Sequence, residues 1–511
     1  MKKSRLVYAS VLVILLCFNI TACSQTVQED ASTIREREPT HKEYEIAGED
    51  EKDKEDKEDN PLIGNEEECK KSQPEELEED IQIVYIEGVP RRIMPQGSLT
   101  IEHFIEDLDY MVYVLENNFA LLEVAYWAHG ICYKDLYTST REMVGAMKEP
   151  CEDMFLAIVR YHFFPLFGTG HFDVFDLFVY HYFRTDFYDG YRGVKAMRNY
   201  RLMHSPLALR FYEQRESGHT MFWDAFSEVE ELVGVPAKNR IWEAINPLFN
   251  EDEVIMQILE EDRIGYIYAG SMAAIRRYRT EIFDFYHEIG AFEHLIIDLR
   301  SNAGGNINYF IDILLRPHLA ETIDAPLAFV FFMDGPYIRR FGDDLFLPTI
   351  SSGGLTKTEP YRPASDILAE FDLTEANHPD FARLHFGAPY NRVRSFFCPN
   401  TLVDFGGEPA FSGKIWLLTD SAMVSAAQLA AWYAKETGFA TLVGDITGGG
   451  AGGPRTLAFM PNTGIIFYFD MFYITDSRGR PLEAGTIPHH FNHPGMDALE
   501  TVLSLIEERS Y

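Results

Sequence analysis

Serine and glycine gather at two places in this 511-residue chain where a strand hands over to a helix, and both places suit acyl chemistry. In Lys414-Ile415-Trp416-Leu417-Leu418-Thr419-Asp420-Ser421-Ala422-Met423-Val424-Ser425-Ala426-Ala427-Gln428-Leu429, small residues crowd a hydroxyl at the start of a helix, either Ser421 or Ser425. The helix dipole favours a serine there as attacking group, and its own N–H can help bind the oxyanion it creates. The same hydroxyl can also simply cap the helix. Upstream, Ile296-Ile297-Asp298-Leu299-Arg300-Ser301-Asn302-Ala303-Gly304-Gly305 is a buried strand ending in a polar, glycine-rich loop before a helix. Glycines let backbone N–H groups approach a ligand closely, which suits an anion or oxyanion at a helix N-terminus. A plain turn uses the same residues, and the spacing is not that of a dinucleotide or phosphate loop.

Metal chemistry finds no such pattern. Cys69, Cys132, Cys151 and Cys398 have neither zinc-ligand spacing nor the density of a disulfide framework, and His489, His490 and His493 match no ligand set. A Cys132 to Cys151 bridge and buried free thiols are both open. No metal and no other cofactor is expected.

The elements that must position these residues divide the chain into five. Residues 1–22 read as a signal peptide: basic Lys2, Lys3 and Arg5, an apolar run from Val7 to Ile20, then Ile20-Thr21-Ala22-Cys23, which looks like a bacterial lipobox. Cleavage before Cys23 and acylation there would anchor an extracytoplasmic protein to the membrane, since two or three acyl chains hold stably where one does not. Residues 23–80 form an acidic tether: positions 24–80 hold 22 acidic against 8 basic residues and too few apolar ones to offset ordering entropy. Apolar residues at helical spacing, Phe104, Leu108, Met111, Val112 and Leu115 first among them, predict a helical domain over 81–172. The aromatic-rich stretch 173–262 has no assignable fold, and from 263 to 511 strands alternate with helices as in an α/β sheet, closing on an amphipathic helix over Met496–Glu508. The net charge of −35 argues against nucleic acid as a partner.

The two strand-to-helix segments carry a family resemblance. The first resembles the Asp-Leu-Arg-Asn-Asn-Gly-Gly-Gly signature of the C-terminal-processing, tail-specific (S41-like) serine peptidases, and the second their Ser-Ala-Ser-Glu nucleophile segment, with Ser425 at the nucleophile position. Thr441-Leu442-Val443-Gly444-Asp445-Ile446-Thr447-Gly448-Gly449-Gly450 resembles the family's Val-Val-Gly-Glu-Pro-Thr-Phe-Gly-Lys-Gly. Gly450 stands where the family's Ser-Lys branch has its general base, which excludes a Ser-Lys dyad. The resemblance then implies the branch similar to tricorn core and nisin-resistance peptidases, whose base is a histidine after the helical domain. Phe167-Gly168-Thr169-Gly170-His171 matches that Gly-His motif, and Arg478-Gly479-Arg480-Pro481-Leu482-Glu483-Ala484-Gly485-Thr486-Ile487-Pro488 resembles the branch's Gly-Arg-x-x-Glu-x-x-Gly-Ile-x-Pro, with Glu483 as its acid. An imidazole, titrating near 6.5, serves as base at neutral pH without the large shift a lysine needs.

What this implies is an α/β (α+β) protein: an N-terminal helical subdomain followed by a sheet-and-helix catalytic domain of the ClpP/crotonase-like type. Its expected site is Ser425 as nucleophile, His171 as base, Glu483 orienting the imidazole, and an oxyanion hole from Gly304, Gly305 and Ala426. The substrate would be a peptide or protein. The sequence departs from the pattern at Phe172, at Gln428 where the nucleophile helix often has Glu, and at Ala303 in place of a glycine. A second reading keeps the fold and groove but not the activity, giving a lipoprotein that binds a peptide or an apolar ligand, similar to the family's retinoid-binding relatives.

Overall fold

Strand alternation in the second half of the chain sets the architecture. The computed structural model describes residues 83–186, 201–215, 253–339, 361–391, 408–450 and 455–509, apart from short breaks at 87–88, 95–96, 325 and 377–378, with scattered positions between these runs. The signal peptide, the tether, Cys23, Cys69 and Cys398 lie outside the described residues. Six strands form the central sheet: β1 (Val254–Glu260), β2 (Ile264–Ala269), β3 (His294–Asp298), β4 (Lys414–Thr419), β5 (Thr441–Gly444) and β6 (His490–Phe491). Their order is β6-β5-β4-β3-β2-β1, all neighbours parallel except β1 against β2.

Successive side chains of a strand face opposite sides, and here both sides are covered. Ile296, Trp416, Leu418 and Val443 meet Ala498, Val502, Leu505 and Ile506 of the C-terminal helix Ala498–Glu508. Their neighbours Leu295, Ile297, Leu417 and Leu442 point into the main core, with the helices Met272–Arg277, Arg279–Ile289 and Ala426–Glu436. Strand β1 starts ahead of residue 263, so the sheet reaches back into the stretch whose fold the sequence did not reveal.

The helical part holds α1 (Ile101–Asn118), α2 (Leu122–His129), α3 (Tyr133–Gly145) and α4 (Glu152–Phe163). Thr100 and His103 close a capping box at the start of α1, whose buried face includes the expected Phe104, Leu108, Met111, Val112 and Leu115. Buried Asp107 on the same helix accepts from Asn462 N–H (2.7 Å), Thr463 N–H (2.8 Å) and Thr463 Oγ1–H (2.6 Å). Those residues turn a hairpin, Arg455–Phe459 with Ile466–Asp470, and Asp173–Val174 adds to its far side. Residues 82–511 cluster as one compact unit. Cys132 is half-buried and Cys151 exposed, and both are free thiols.

Candidate active site

Parallel pairing brings the two sequence motifs together. Because β3 and β4 run the same way in register, Ile296 beside Trp416 and Asp298 beside Leu418, the loops that follow them leave the sheet at the same carboxyl edge. Asp420 joins them: its carboxylate accepts from Ser301 N–H (3.0 Å), Ser301 Oγ–H (3.1 Å), Ala422 N–H (3.1 Å) and Met423 N–H (3.1 Å). Burial raises the pKa of that carboxyl against the pull of these donors.

With Met272–Arg277 as α5 and Arg279–Ile289 as α6, Ser425 ends the second loop and heads α7 (Ala426–Glu436). Its backbone sits at φ 57°, ψ −122°, a conformation that costs a non-glycine residue on the order of 1–3 kcal/mol. The residue is buried, yet its Oγ caps nothing and has no hydrogen-bond partner among the described residues. Ser421, the other hydroxyl of the segment, is exposed. Ser425 N–H donates to Gly449 O (3.0 Å), which ties the turn to the loop after β5.

Gly304 packs on this turn more closely than any side chain allows. A Cβ there would lie 2.7 Å from Ala426 N, 2.8 Å from Ser425 Cβ and 2.8 Å from Val424 O, and its φ of +98° also demands glycine. Its own N–H donates to Asn302 Oδ1 (2.9 Å). Of the three expected oxyanion donors, Gly304 is therefore already engaged. Gly305 and Ala426 donate no backbone hydrogen bond among the described residues.

His171 arrives through the hairpin. Asp173–Val174 pairs antiparallel with Ile466–Asp470, Val174 opposite Phe467 and Asp173 opposite Tyr468. Continued two residues outward, that register sets His171 opposite Asp470. His171 Nδ1 lies 2.6 Å from Asp470 Oδ2, with both side chains buried. An ionised carboxylate only accepts, so the bond puts the ring proton on Nδ1 and leaves Nε2 as the basic nitrogen.

Glu483, expected beside the imidazole, does something else. Its Oε1 accepts from Gly170 N–H (2.8 Å) and its Oε2 from Gly450 N–H (3.0 Å). It thereby joins the histidine loop to the loop packed on Ser425, since a Cβ on Gly450 would lie 3.3 Å from Ser425 N. Burial pushes the Glu483 carboxyl up to about 7, while the two amides and the nearby His171 pull it back. Gln428, in place of the family's usual Glu, is buried on α7: its Nε2 donates to Leu482 O (3.1 Å) and Thr486 Oγ1 (3.1 Å), and its Oε1 accepts from Thr447 Oγ1–H and from Thr486 N–H (3.3 Å). The amide holds the Glu483 loop to α7 with donor and acceptor both used. Phe172 is core, packed edge-on to Phe163 and Phe167, and Ala303 is buried.

Sequence reasoning missed Asp470. Its only local signal is a carboxylate closing an apolar strand, Ile466-Phe467-Tyr468-Phe469-Asp470. The histidines set aside as metal ligands have a simpler use: His489 pairs with Leu442 along the sheet edge, accepting its N–H at Nδ1 (2.9 Å) and donating its own N–H to Leu442 O (3.0 Å).

Among solved structures, the chain is similar to a candidate peptidase from Parabacteroides merdae (14% identity, 80% of this chain and 97% of that one, TM-score 0.42). It is also similar to a lipoprotein from Streptococcus agalactiae (12%, 82% and 98%, TM-score 0.36) and to mature CPAF complexed with lactacystin (11%, 80% and 97%, TM-score 0.42). No curated protein matches it significantly. The chain also matches the model of peptidase family S41 over residues 263–326 and 348–491, the segments that carry Gly304, Ser425, Asp470 and Glu483. Those segments are similar to peptidase family S41, a likeness that supports an S41-like serine peptidase.

Proposed function

We propose that the protein is a lipid-anchored extracytoplasmic endopeptidase that cleaves peptides or proteins with Ser425 as nucleophile, His171 as base and Asp470 as the carboxylate that orients it. The observation that carries the reading is the buried His171–Asp470 pair at 2.6 Å, linked through Gly170, Glu483 and Gly450 to the turn that holds Ser425.

Proton transfer from Ser425 Oγ to His171 Nε2 would accompany attack of Oγ on the scissile carbonyl carbon. Negative charge then develops on the carbonyl oxygen, where Gly305 and Ala426 N–H groups can receive it. Imidazolium returns the proton to the leaving amine as the C–N bond breaks, and a water deprotonated by His171 releases the acyl group. Asp470 keeps the imidazole in the required tautomer and stabilises its charged form. Glu483 holds the two loops in place from behind. Anchoring at Cys23, with residues 24–80 as spacer, would keep the enzyme at the outer surface and its substrates extracytoplasmic.

The alternative, a binding protein that has kept the fold, draws on Ser425 Oγ having no hydrogen-bond partner among the described residues. Catalytic hydrogen bonds often tighten only with substrate bound, so the two readings part on reactivity. The test is covalent labelling of the full chain by a fluorophosphonate. Labelling at Ser425 that is lost in His171→Ala and reduced in Asp470→Asn supports the peptidase; a folded wild type that never labels, under any substrate or peptide added, supports the binding protein.

A further inference from the structure

Behind the Glu483 loop lies a cavity of about 30 Å³ between the C-terminal half of α7 and the segment 476–487. Trp432, Lys435, Glu436, Asp476, Arg478 and Arg480 line it. The two carboxylates are committed to one cation and to backbone: Asp476 accepts from Arg478 N–H (2.9 Å), Arg480 N–H (2.9 Å) and the Arg478 guanidinium (3.3 Å), and Glu436 lies 4.0 Å from the same guanidinium. Lys435 and Arg480 form no ion pair among the described residues; Lys435 Nζ donates to Ile487 O (2.7 Å) and Arg480 Nη2 to Ala484 O (3.2 Å). Arg480 Nε–H and the indole N–H of Trp432, a residue 2% exposed, are buried donors with no partner among the described residues. Unmet buried donors are costly, and the lining sets three cations, Lys435, Arg478 and Arg480, against the two carboxylates Glu436 and Asp476, a surplus of positive charge that water does not answer.

The space is partly open to solvent, and its inner part holds about one water-sized occupant. We infer that the cavity is a site for a small monovalent anion, chloride in solution, held by the Trp432 and Arg480 N–H groups beside Lys435. Bound there, the anion latches segment 476–487, and with it Glu483, against α7. Trp432 lies two helical turns from Ser425, about 10 Å along α7, so the ion acts on the support of the site and not on the reacting atoms. The inference is independent of whether Ser425 reacts.

The test compares thermal unfolding of the full chain in sodium chloride and in sodium gluconate at equal ionic strength. Chloride is expected to raise Tm saturably, by about 1–2 °C at ten times its Kd, and the increment is expected to vanish in Trp432→Phe, which removes the N–H donor and part of the ring but keeps an aromatic side chain. Bromide soaked into crystals of the wild type should give an anomalous peak in the cavity, a readout that stands even if the variant fails to fold. Equal Tm in the two salts, an increment that survives Trp432→Phe, or a cavity holding water alone in bromide would overturn the proposal.

Discussion

At the scale of the residue, Gly304 and Asp470 set the sharpest constraints. A methyl group at position 304 would meet Ala426 N, Ser425 Cβ and Val424 O at 2.7–2.8 Å, and either the loop or the Ser425 turn must move. A misplacement of about 1 Å can cost 100-fold in rate, so Gly304→Ala is expected to lower kcat/KM by at least about 100-fold, measured on any cleaved peptide or by the rate of fluorophosphonate labelling. Asp470→Asn keeps the shape but removes the acceptor that fixes the Nδ1–H tautomer. The expected loss in kcat is about 10³- to 10⁴-fold with KM little changed. If Glu483→Gln were the more damaging of the two in kcat, the roles assigned to these carboxylates would have to be exchanged.

At the scale of the element, the site depends on how strands and loops are tied. Gln428 spans three residues on two loops, and Gln428→Leu would remove the partner of the Thr447 hydroxyl proton, of Thr486 Oγ1 and of Leu482 O in a buried setting, while Thr486 N–H keeps its bond to Thr447 Oγ1. A destabilisation of about 2–4 kcal/mol is expected by denaturant unfolding, with labelling of Ser425 lowered at temperatures where the protein remains folded. This scale also shows what could be read beforehand. The Gly304 loop and the Ser425 turn were legible because a parallel strand, a small-residue loop and a helix follow one another in sequence, so motif and geometry are local. His171 was legible only through its resemblance to a known motif. Asp470 was not legible, because its meaning comes from an antiparallel pairing with a segment 299 residues away, and the bonds of Glu483 to Gly170 and Gly450 N–H likewise join segments far apart in sequence. The stretch after Asp173 stayed opaque for a related reason: Asp173–Val174 is a two-residue strand whose partner lies near the other end of the chain.

At the scale of the whole molecule, burial of titratable groups couples stability to pH. His318 is enclosed by the rings of Tyr286, Phe411 and Phe439, its two ring nitrogens have no hydrogen-bond partner among the described residues, and burial pulls its pKa down to about 3. The unfolded chain, titrating near 6.5, takes up this proton first. The fold's preference for the neutral ring is therefore fully present above pH 6.5 and is lost as pH falls from 6.5 towards 3, by up to about 1.4 kcal/mol per pH unit. Denaturant midpoints measured from pH 7.5 to 4.5 should fall less steeply in His318→Phe than in the wild type; parallel curves would assign the acid sensitivity to other groups.

The hairpin that pairs His171 with Asp470 has a consequence for biogenesis. The histidine is made early and its carboxylate partner almost three hundred residues later, so a chain still leaving the ribosome owns a serine turn and an imidazole that nothing yet aligns. Long-range strand pairing is slow to form. Competence to cut would therefore arrive last, with closure of the C-terminal hairpin, which spares the growing chain and its neighbours while the site is still being built.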